Sequence, residues 1–259
     1  MARKPAWVIE KERGRRAAAA ETVWLFGLHA VRDALMNPRR DRRRLIVTPN
    51  ARDKLADAIA AAGMAPEVSD PKRFAAPLDP GSVHQGAALE VRPLDWGPLA
   101  EAAFAGPAPL RVVALDRVTD PHNVGAILRS AEVFGAAAVI APRHHAAPET
   151  GALAKAASGA LERQPYLRVR NLADALEELK GLGFAVVGLD GAAEAELTEA
   201  LAPRAAGPLV LALGAEGPGL RPRTRETCDA LARIAPAGGF GSLNVSNAAA
   251  VALHAARTA

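Results

Sequence analysis

Short apolar runs alternate with amphipathic segments along the second half of the chain. Because a strand covered on both faces is apolar throughout, the runs predict buried strands. The predicted strands are Val112–Leu115, Ala138–Ile140, Phe184–Leu189, Leu209–Leu213 and Arg233–Ala235. The predicted helices are Val124–Phe134, Leu153–Ala157, Leu172–Leu182, Arg223–Leu231 and Asn247–Arg257. This alternation predicts an α/β fold, a parallel sheet with helices on both faces.

The first half predicts a smaller α/β unit, over residues 21–93. Its predicted elements are a helix at Leu28–Met36, a strand at Arg44–Thr48, a helix at Asn50–Ala62 that Gly63 ends, and a strand at Ala87–Val91. Residues 1–20 mix charge with alanine and predict a disordered basic tail. The stretch Asp95–Pro109 is rich in glycine and proline and predicts a linker, over 94–109, before a second domain at 110–259.

Composition excludes several classes of protein. The chain has 259 residues, of which 50% are hydrophobic, so it can build a real core. Its single cysteine, Cys228, excludes an internal disulfide framework and a cysteine-based zinc site. His144 and His145 are adjacent and lack helical metal spacing, so no metal is predicted. With no apolar run of membrane-spanning length and no secretory signal, a soluble cytoplasmic protein is the simplest interpretation.

Positive charge is unevenly distributed along the chain, whose formal net charge is +4. The basic clusters are Lys4, Lys11, Arg13, Arg15 and Arg16, and then Arg39, Arg40, Arg42, Arg43 and Arg44. Such clusters bind phosphates regardless of nucleotide sequence. A solvated tail and a solvated loop explain them equally well, so charge alone leaves nucleic-acid binding open.

Three polar segments follow predicted strands, at 120–130, 213–221 and 238–248. In open α/β sheets ligands bind beyond the carboxyl ends of the strands, so the three segments predict one shared crevice. In the first, Asn123 is a candidate helix cap, Gly125 permits a close approach of backbone or ligand, and Arg129 has no obvious packing role.

The second and third segments also carry candidate site residues. Gly214, Gly217 and Gly219 indicate either a tight turn with positive φ or a backbone that is open to a ligand. Glu216 within this loop needs a partner or water, and Arg129 is a candidate. In the third segment the polar residues exceed what one helix cap requires: Ser242, Asn244, Ser246 and Asn247.

Several nucleotide-binding and hydrolytic motifs are absent from the sequence. No G-x-G-x-x-G follows a strand and no G-x-x-x-x-G-K-[ST] occurs, which argues against a dinucleotide site and a P-loop. No G-x-S-x-G elbow accompanies the serines.

Taken together, the three segments resemble the three motifs of the SpoU (TrmH) family of RNA ribose 2′-O-methyltransferases, in the SPOUT superfamily. The resemblance covers about residues 110–256. Residues 154–162, AKAASGALE, resemble the branch that methylates a guanosine in large-subunit (23S) ribosomal RNA. Residues 25–31, LFGLHAV, and 83–86, VHQG, resemble the N-terminal RNA-binding domain of that branch.

The resemblance implies a C-terminal trefoil knot, a homodimer with active sites near its interface, and S-adenosylmethionine as methyl donor. The residues that it places against this cofactor are Gly214, Ile234 and Leu243. The residues that it places in the catalytic pocket are Asn123, Arg129, Glu216, Ser242 and Asn244. Relatives often carry a basic or polar residue at Pro218, where proline removes one backbone donor.

The resemblance leaves two questions open. Arg129 is either the base that removes the ribose hydroxyl proton, or a cation that binds phosphate and stabilises the developing alkoxide. A free guanidinium gives up its proton only in strong alkali, which argues against the role of base. The alternatives to ribosomal RNA methylation are a family member that methylates transfer RNA or another ribosomal site, and a catalytically silent RNA-binding assembly factor.

Overall fold

The computed structural model describes residues 22–79, 81–238 and 243–258. The chain divides into two compact units, one ending at Leu94 and the other beginning at Asp95. The predicted basic tail at 1–20 and the predicted pocket residue Ser242 lie outside the described residues.

The first unit is a four-stranded mixed sheet with short helices. Its strands are β1 (Val23–Phe26), β2 (Arg42–Val47), β3 (Glu67–Val68) and β4 (Ala87–Val91), in the order β1-β4-β2-β3. The helices are α1 (Leu28–Met36), α2 (Pro49–Lys54) and α3 (Ala56–Ala62), followed by a 3₁₀ turn at Pro71–Arg73. Strand β4 is antiparallel to both β1 and β2, and β3 is parallel to β2.

Two predicted elements of this unit match and two differ. Helix α1 and strand β4 have the predicted bounds. The strand predicted to reach Thr48 ends at Val47, because the Thr48 side chain accepts a hydrogen bond from Ala51 N (3.3 Å) and caps α2. The single helix predicted up to Ala62 is two helices that meet at Leu55. Gly63 ends α3 in the left-handed conformation, at φ 61°.

The second basic cluster is largely engaged within its own unit. Its arginines donate as follows: Arg40 to Arg92 O at 2.8 Å, Arg42 to Leu35 O, Arg43 to Asp41 at 2.5 Å, and Arg44 to both oxygens of Glu67 at 2.6 and 2.8 Å. The last bond raises the pKa of Arg44 and lowers that of Glu67. The charges of Arg43 and Arg44 are thus compensated by carboxylates, whereas the carbonyl oxygens that hold Arg40 and Arg42 are neutral.

The second unit is a six-stranded parallel sheet with helices. Its strands are β5 (Arg111–Asp116), β6 (Ala138–Pro142), β7 (Tyr166–Val169), β8 (Ala185–Leu189), β9 (Leu209–Gly214) and β10 (Ala230–Ala232). Its helices are α4 (Leu99–Phe104), α5 (Pro121–Phe134), α6 (Gly151–Ala157), α7 (Leu172–Gly181), α8 (Leu197–Leu201), α9 (Pro222–Thr227) and α10 (Val245–Thr258), with 3₁₀ turns at Ala160–Glu162 and Ala202–Arg204. The predicted α/β class with a parallel sheet is confirmed.

The strand order places the switch of the sheet between β5 and β9. The order is β10-β8-β9-β5-β6-β7. The chain first adds β6 and β7 on one side of β5, and then adds β8, β9 and β10 on the other side. Register pairs Asp116 with Gly214, so the first two polar segments begin side by side. Ligands of open α/β sheets bind beyond the strand ends at such a switch.

Helix α5 illustrates how the sequence sets local structure. The Asp120 side chain accepts a hydrogen bond from His122 N (2.9 Å), Pro121 occupies the first turn, and Gly135 ends the helix at φ 74°. The cap is therefore Asp120 and not Asn123, and the helix begins three residues before the predicted Val124. Its buried residues recur at helical spacing: Val124, Ile127, Leu128 and Ala131.

Gly125 permits close packing of α5 against α6. A Cβ built on Gly125 would lie 2.5 Å from Ala156 Cβ and 2.8 Å from both Ala157 N and Leu153 O. The close approach expected at this glycine is thus an approach of backbone from the neighbouring helix.

The largest difference from the predicted elements lies at the end of the sheet. The strand predicted at Arg233–Ala235 is β10, three residues earlier, and α9 ends at Thr227 and not at Leu231. The reason is tertiary: Asp229 N donates to Val186 O (2.8 Å), and the Asp229 carboxylate accepts from Val186 N (2.7 Å). Residues that have a helical pattern in the sequence therefore become a strand, because they pair with β8.

The stretch predicted as a linker contains helix α4. Leu99, Ala102 and Ala103 are buried within the apolar core of the second unit, so these residues are part of the globular structure. Strands β1, β3 and β7 and helix α8 were also not predicted, because short elements give few positions from which a period can be read.

A buried arginine anchors the last turn of α10. Arg111, at the start of β5, is 4% exposed, and its guanidinium donates to backbone oxygens of Ala256 (2.9 and 3.1 Å), Gly207 (2.8 Å) and Ala205 (2.6 Å). Burial lowers the pKa of Arg111. The carbonyl oxygens at the end of α10 are thereby partly satisfied by a side chain.

A buried ion pair fixes the end of the loop that follows β9. Asp116 is fully buried; its Oδ1 accepts from Arg221 Nε (2.6 Å) and its Oδ2 from Arg221 N (2.9 Å). At the start of the loop, a Cβ on Gly214 would lie 2.1 Å from the carbonyl carbon of Gly219. The loop therefore folds back over the end of its own strand and is held by β5.

The described helices include none that is long and apolar enough to cross a membrane. Within the same residues, no three histidine, cysteine, aspartate or glutamate side chains gather in a way that could hold a metal ion.

Replacing Gly125 by alanine tests the packing of α5 against α6. We expect the free energy of unfolding, measured in urea, to fall by about 1–3 kcal/mol, because overpacking forces the helices apart. Gly181, also helical, is the control: a Cβ there meets no atom within 4 Å. Gly181→Ala should be neutral or stabilise by up to about 1 kcal/mol. Equal losses for the two variants would contradict this packing role.

Arg221→Ala tests the buried pair. It leaves Asp116 with one backbone donor, and we expect unfolding to become easier by about 2 kcal/mol, the cost of an under-satisfied buried charge. Arg223→Ala is matched to it, because Arg223 pairs with Asp174 at the surface, where the side chains are 66% and 59% exposed. That loss should stay below about 1 kcal/mol. Indistinguishable denaturation curves for the two variants would argue against the pair.

Candidate active site

The carboxylate of Glu216 joins the three polar segments. Its Oε1 accepts from Asn244 Nδ2 (2.7 Å), from Val245 N (3.3 Å) and from Asn123 Nδ2 (3.4 Å). Asn244 Nδ2 also donates to Asn123 Oδ1 (2.9 Å). The predicted shared crevice therefore brings Asn123, Glu216 and Asn244 together, although they are far apart in sequence.

Asn244 is oriented by the helix that it precedes. Its Oδ1 accepts from Ser246 N (2.9 Å) and from Ser246 Oγ (2.5 Å), and Ala248 N donates to its backbone oxygen (2.9 Å). Asn244 thus caps α10 with its oxygen and has its amide nitrogen available for Glu216 and Asn123. One side chain performs the capping and the bridging that the sequence indicated for this segment.

Arg129 lies apart from this group. It is exposed, and it forms no hydrogen bond or ion pair with Glu216 or with any other residue that the structure describes. Six residues of α-helix turn the side chain by about 120° away from that of Asn123. The predicted Arg129–Glu216 partnership is therefore wrong: the donors to Glu216 are amides.

A cavity of about 600 Å³ opens beside Glu216, at the carboxyl ends of β8, β9 and β10. All three residues predicted to contact a cofactor line it: Gly214, Ile234 and Leu243. Glu216, Asn244 and Pro218 line it too, whereas Asn123 and Arg129 do not. Much of the wall is backbone of the loop 214–219, together with apolar side chains such as Leu189 and Leu213.

Three charged residues of the cavity wall were not identified from the sequence. Asp190 pairs with Arg225 across 2.5 Å, and Arg233 has a buried Nε with no hydrogen-bond partner among the described residues. The sequence carried a signal for Asp190, which directly follows an apolar strand. It carried none for Arg225, which lies in a short helix between two strands.

This wall suits a ligand that has both apolar and charged parts. Backbone amides and carbonyls of a glycine-containing loop can hydrogen-bond a ligand directly, and the apolar side chains can pack on its rings or methylene groups. The acidic and basic side chains at the rim can bind groups of opposite charge.

Comparison with known proteins supports the same interpretation. Residues 110–254 match the SpoU rRNA Methylase family, and residues 24–96 match a family described as RNA 2′-O ribose methyltransferase substrate binding. The chain is 40% identical over 238 residues to the 23S rRNA (guanosine-2′-O-)-methyltransferase RlmB of Pseudomonas putida, covering 90% of this chain and 94% of that protein.

Solved structures share the fold at low sequence identity. The SpoU methyltransferase AviRb from Streptomyces viridochromogenes, in complex with AdoMet, superposes with a TM-score of 0.78 at 22% identity, covering 93% of this chain and 92% of that one. An AdoMet-bound rRNA methyltransferase from Sinorhizobium meliloti has a TM-score of 0.75 at 24% identity, covering 100% and 97%. With the family match over more than half of its length, this chain belongs to the SpoU rRNA methylase family.

Proposed function

We propose that this protein transfers a methyl group from S-adenosylmethionine to a ribose 2′-hydroxyl of a guanosine in 23S ribosomal RNA, in the cytoplasm. The observation that carries the proposal is the position of the cavity, with Gly214, Ile234 and Leu243 in its wall, beside the Asn123–Glu216–Asn244 group. The similarity to RlmB proteins over 90% of the chain supports the choice of RNA.

The cavity fits the chemistry of this methyl donor. Gly214 and its neighbours offer backbone groups to an adenine, and Leu243 and Ile234 offer apolar contact. Arg233, whose Nε lacks a partner within the described chain, and the Asp190–Arg225 pair can bind the carboxylate and ammonium of the methionine part. The donor supplies an electrophilic methyl group on a sulfonium.

The Asn123–Glu216–Asn244 group orients the ribose, and we propose, as the resemblance to the SpoU family implies, that Ser242 contributes to the same pocket. The bond from sulfur to the methyl group would break as the bond to the ribose oxygen forms, which leaves a neutral thioether, and the hydroxyl proton would pass to solvent water. Arg129 binds an RNA phosphate and stabilises the negative charge that develops on the oxygen, because a guanidinium attracts both anions. Its exposure and lack of an anionic partner among the described residues support this role.

We infer that residues 21–93 bind RNA and that residues 110–259 are the catalytic domain. Support comes from the match of residues 24–96 to a substrate-binding family. The motif VHQG has a structural role there: Gln85 Oε1 accepts from Leu28 N (3.0 Å) at the start of α1, and His84 stacks on Phe74 with ring centroids 4.1 Å apart.

We propose a trefoil knot in the C-terminal part of the domain. Helix α10 follows the edge strand β10, yet it packs against α5, α8 and the central strand β9. The return from the edge to the centre of the sheet, and the anchoring of Ala256 by Arg111, support such a path.

We propose a homodimer that buries an apolar face of α5 and α10. These helices pack together, and Val133 and Val251 on them are 69% and 42% exposed. Arg129 is one helical turn before Val133, so its side chain lies on the same face. A second copy packed there would bring Arg129 to the interface between two sites.

Mapping of 2′-O-methylation tests the proposed substrate. In a strain that lacks this gene, one guanosine of 23S ribosomal RNA should lose its methyl group and should regain it when the gene is restored. An unchanged 23S map with a lost transfer-RNA mark would redirect the proposal to transfer RNA. Failure of the purified protein to bind S-adenosylmethionine in calorimetry would overturn the enzymatic function.

Arg129→Ala tests the catalytic role of the arginine. We expect turnover to fall at least about 100-fold, because a charge-stabilising group at the reacting oxygen is lost. The Kd for S-adenosylmethionine should not change, since Arg129 does not line the cavity. Arg257→Ala, an exposed arginine in the last turn of α10, is the control and should retain turnover. Wild-type-like turnover by Arg129→Ala would remove the residue from the mechanism.

Val133→Glu tests the dimer. The wild-type protein should sediment as a dimer, and the variant should shift to monomer at micromolar concentration, because a charged side chain loses its hydration when an apolar interface covers it. Val68→Glu is the control, since Val68 is 53% exposed in the first unit. A wild-type monomer, or a variant dimer as stable as the wild type, would contradict this interface.

A further inference from the structure

Exposed cationic side chains cluster at the carboxyl ends of β5, β6 and β7, on the side of the sheet switch away from the cavity. We call this cluster the cationic rim; its cations are Arg117, Arg143 and Arg170, and the exposed His144 and His145 belong to the same loop as Arg143. Because neighbouring strands are about 4.8 Å apart, the three strand ends span roughly 10 Å. None of these residues lines the cavity of the candidate active site.

Hydrogen bonds from Arg168 and Tyr166 hold the backbone of the rim loop that follows β6. The Arg168 guanidinium donates to carbonyl oxygens of Pro142 (3.1 Å), Ala147 (3.0 Å) and Ala146 (3.3 Å), and also to that of Arg143. Tyr166 Oη donates to Ala147 O (2.7 Å), and burial raises the pKa of Tyr166 to about 12, so its hydroxyl remains a donor. Because Arg168 and Tyr166 fix this loop, its exposed side chains are pre-organised for binding.

Two rim residues have left-handed backbone conformations. Arg117 has φ 63° and His145 has φ 58°, although neither is glycine. The two loops are adjacent, since Ala147 N donates to Val118 O (3.2 Å). Such conformations are costly for residues with a side chain and are concentrated at functional sites. Here they present two basic side chains from neighbouring loops.

The positive charge of the rim is not neutralised by the described residues. Arg117, His144, His145 and Arg170 form no hydrogen bond or ion pair through their side chains with any of them, and Arg143 Nε donates only to Arg168 O (3.1 Å). The nearby acids have other roles: Asp116 is buried against Arg221, Asp120 caps α5, and Glu149 is half-buried. By contrast, Arg163, which precedes β7 at the amino ends of the strands, pairs with Glu132.

The rim continues directly from the candidate active site. Arg117 follows Asp116, which pairs in register with Gly214 of the cavity wall, and Asn123 lies in the first turn of the helix that follows. A strand of RNA whose ribose reaches Asn123, Glu216 and Asn244 can therefore run across β5 towards β6 and β7.

We propose that the cationic rim binds the backbone phosphates of the RNA strand that flanks the methylated ribose. The inference rests on the proposed function, which supplies RNA as substrate, and adds the side of the catalytic unit over which the strand passes. Phosphates are the suitable ligand, because cations fixed on a rigid backbone neutralise them without regard to base.

Salt-dependent RNA binding by the full chain tests the rim. The probe is an in vitro transcript of 23S ribosomal RNA, and Kd is measured from 50 to 200 mM KCl. Arg117→Asn/Arg143→Gln should reduce the slope of log K against log salt by about 1.4, that is about 0.7 for each lost single-strand phosphate contact. Asparagine is used at position 117 because it tolerates the left-handed conformation.

Arg163→Gln/Arg257→Gln is the matched control. It removes the same charge from exposed arginines near the amino ends of the strands, and should retain the wild-type slope. Calorimetry with S-adenosylmethionine should give a wild-type Kd for both double variants, which shows that they are folded. If Arg117→Asn/Arg143→Gln loses cofactor binding, Arg117→Asn alone replaces it, with an expected change in slope of about 0.7.

The outcomes separate the rim from the proposed function. A wild-type slope for the rim variant, in a protein that still methylates the transcript, overturns the rim and leaves the function standing. An equal reduction for the control variant also overturns the rim, since the effect would then come from net charge. A wild-type protein that does not bind the transcript overturns both.

Discussion

The candidate site depends on one buried carboxylate, that of Asp116 at the end of the central strand β5. Its two hydrogen bonds to Arg221 hold the far end of the loop that follows β9, while Gly214 lets the loop fold over the strand end at its start. Only with both ends fixed does Glu216 project between α5 and α10. The polar group and the cavity wall are thus consequences of how one loop is held against the switch of the sheet.

Much of the fold could be predicted from the sequence, because the central strands are buried along their whole length. Strand β5 is apolar between Arg111 and Asp116, β9 is apolar from Leu209 to Leu213, and the buried residues of helix α5 recur at helical spacing. The failures occur where tertiary contacts override local pattern. Residues 230–232 have a helical pattern but pair with β8, and the glycines and prolines around α4 hide a helix whose Leu99 is buried in the core.

The sequence indicated which residues form the site better than it indicated how they contact one another. The convergence of Asn123, Glu216 and Asn244 follows from the rule that polar segments after parallel strands meet at one edge. The same rule could not assign partners: Arg129 was a candidate partner for Glu216, whose donors are two side-chain amides and a backbone N–H. Asp116 and Arg221 were missed because an isolated charge at a strand end gives no signal of its burial.

The way in which Glu216 is satisfied has an electrostatic consequence. Its donors belong to the first turns of two helices, α5 and α10, where backbone dipoles present partial positive charge. The carboxylate is therefore hydrogen-bonded by neutral amides and a backbone N–H, and it forms no ion pair with a described residue. This arrangement separates the charges of the site, because the carboxylate of Glu216 does not form an ion pair with Arg129. The cationic charge of Arg129 therefore remains at the surface, where it can bind an anion from outside the chain.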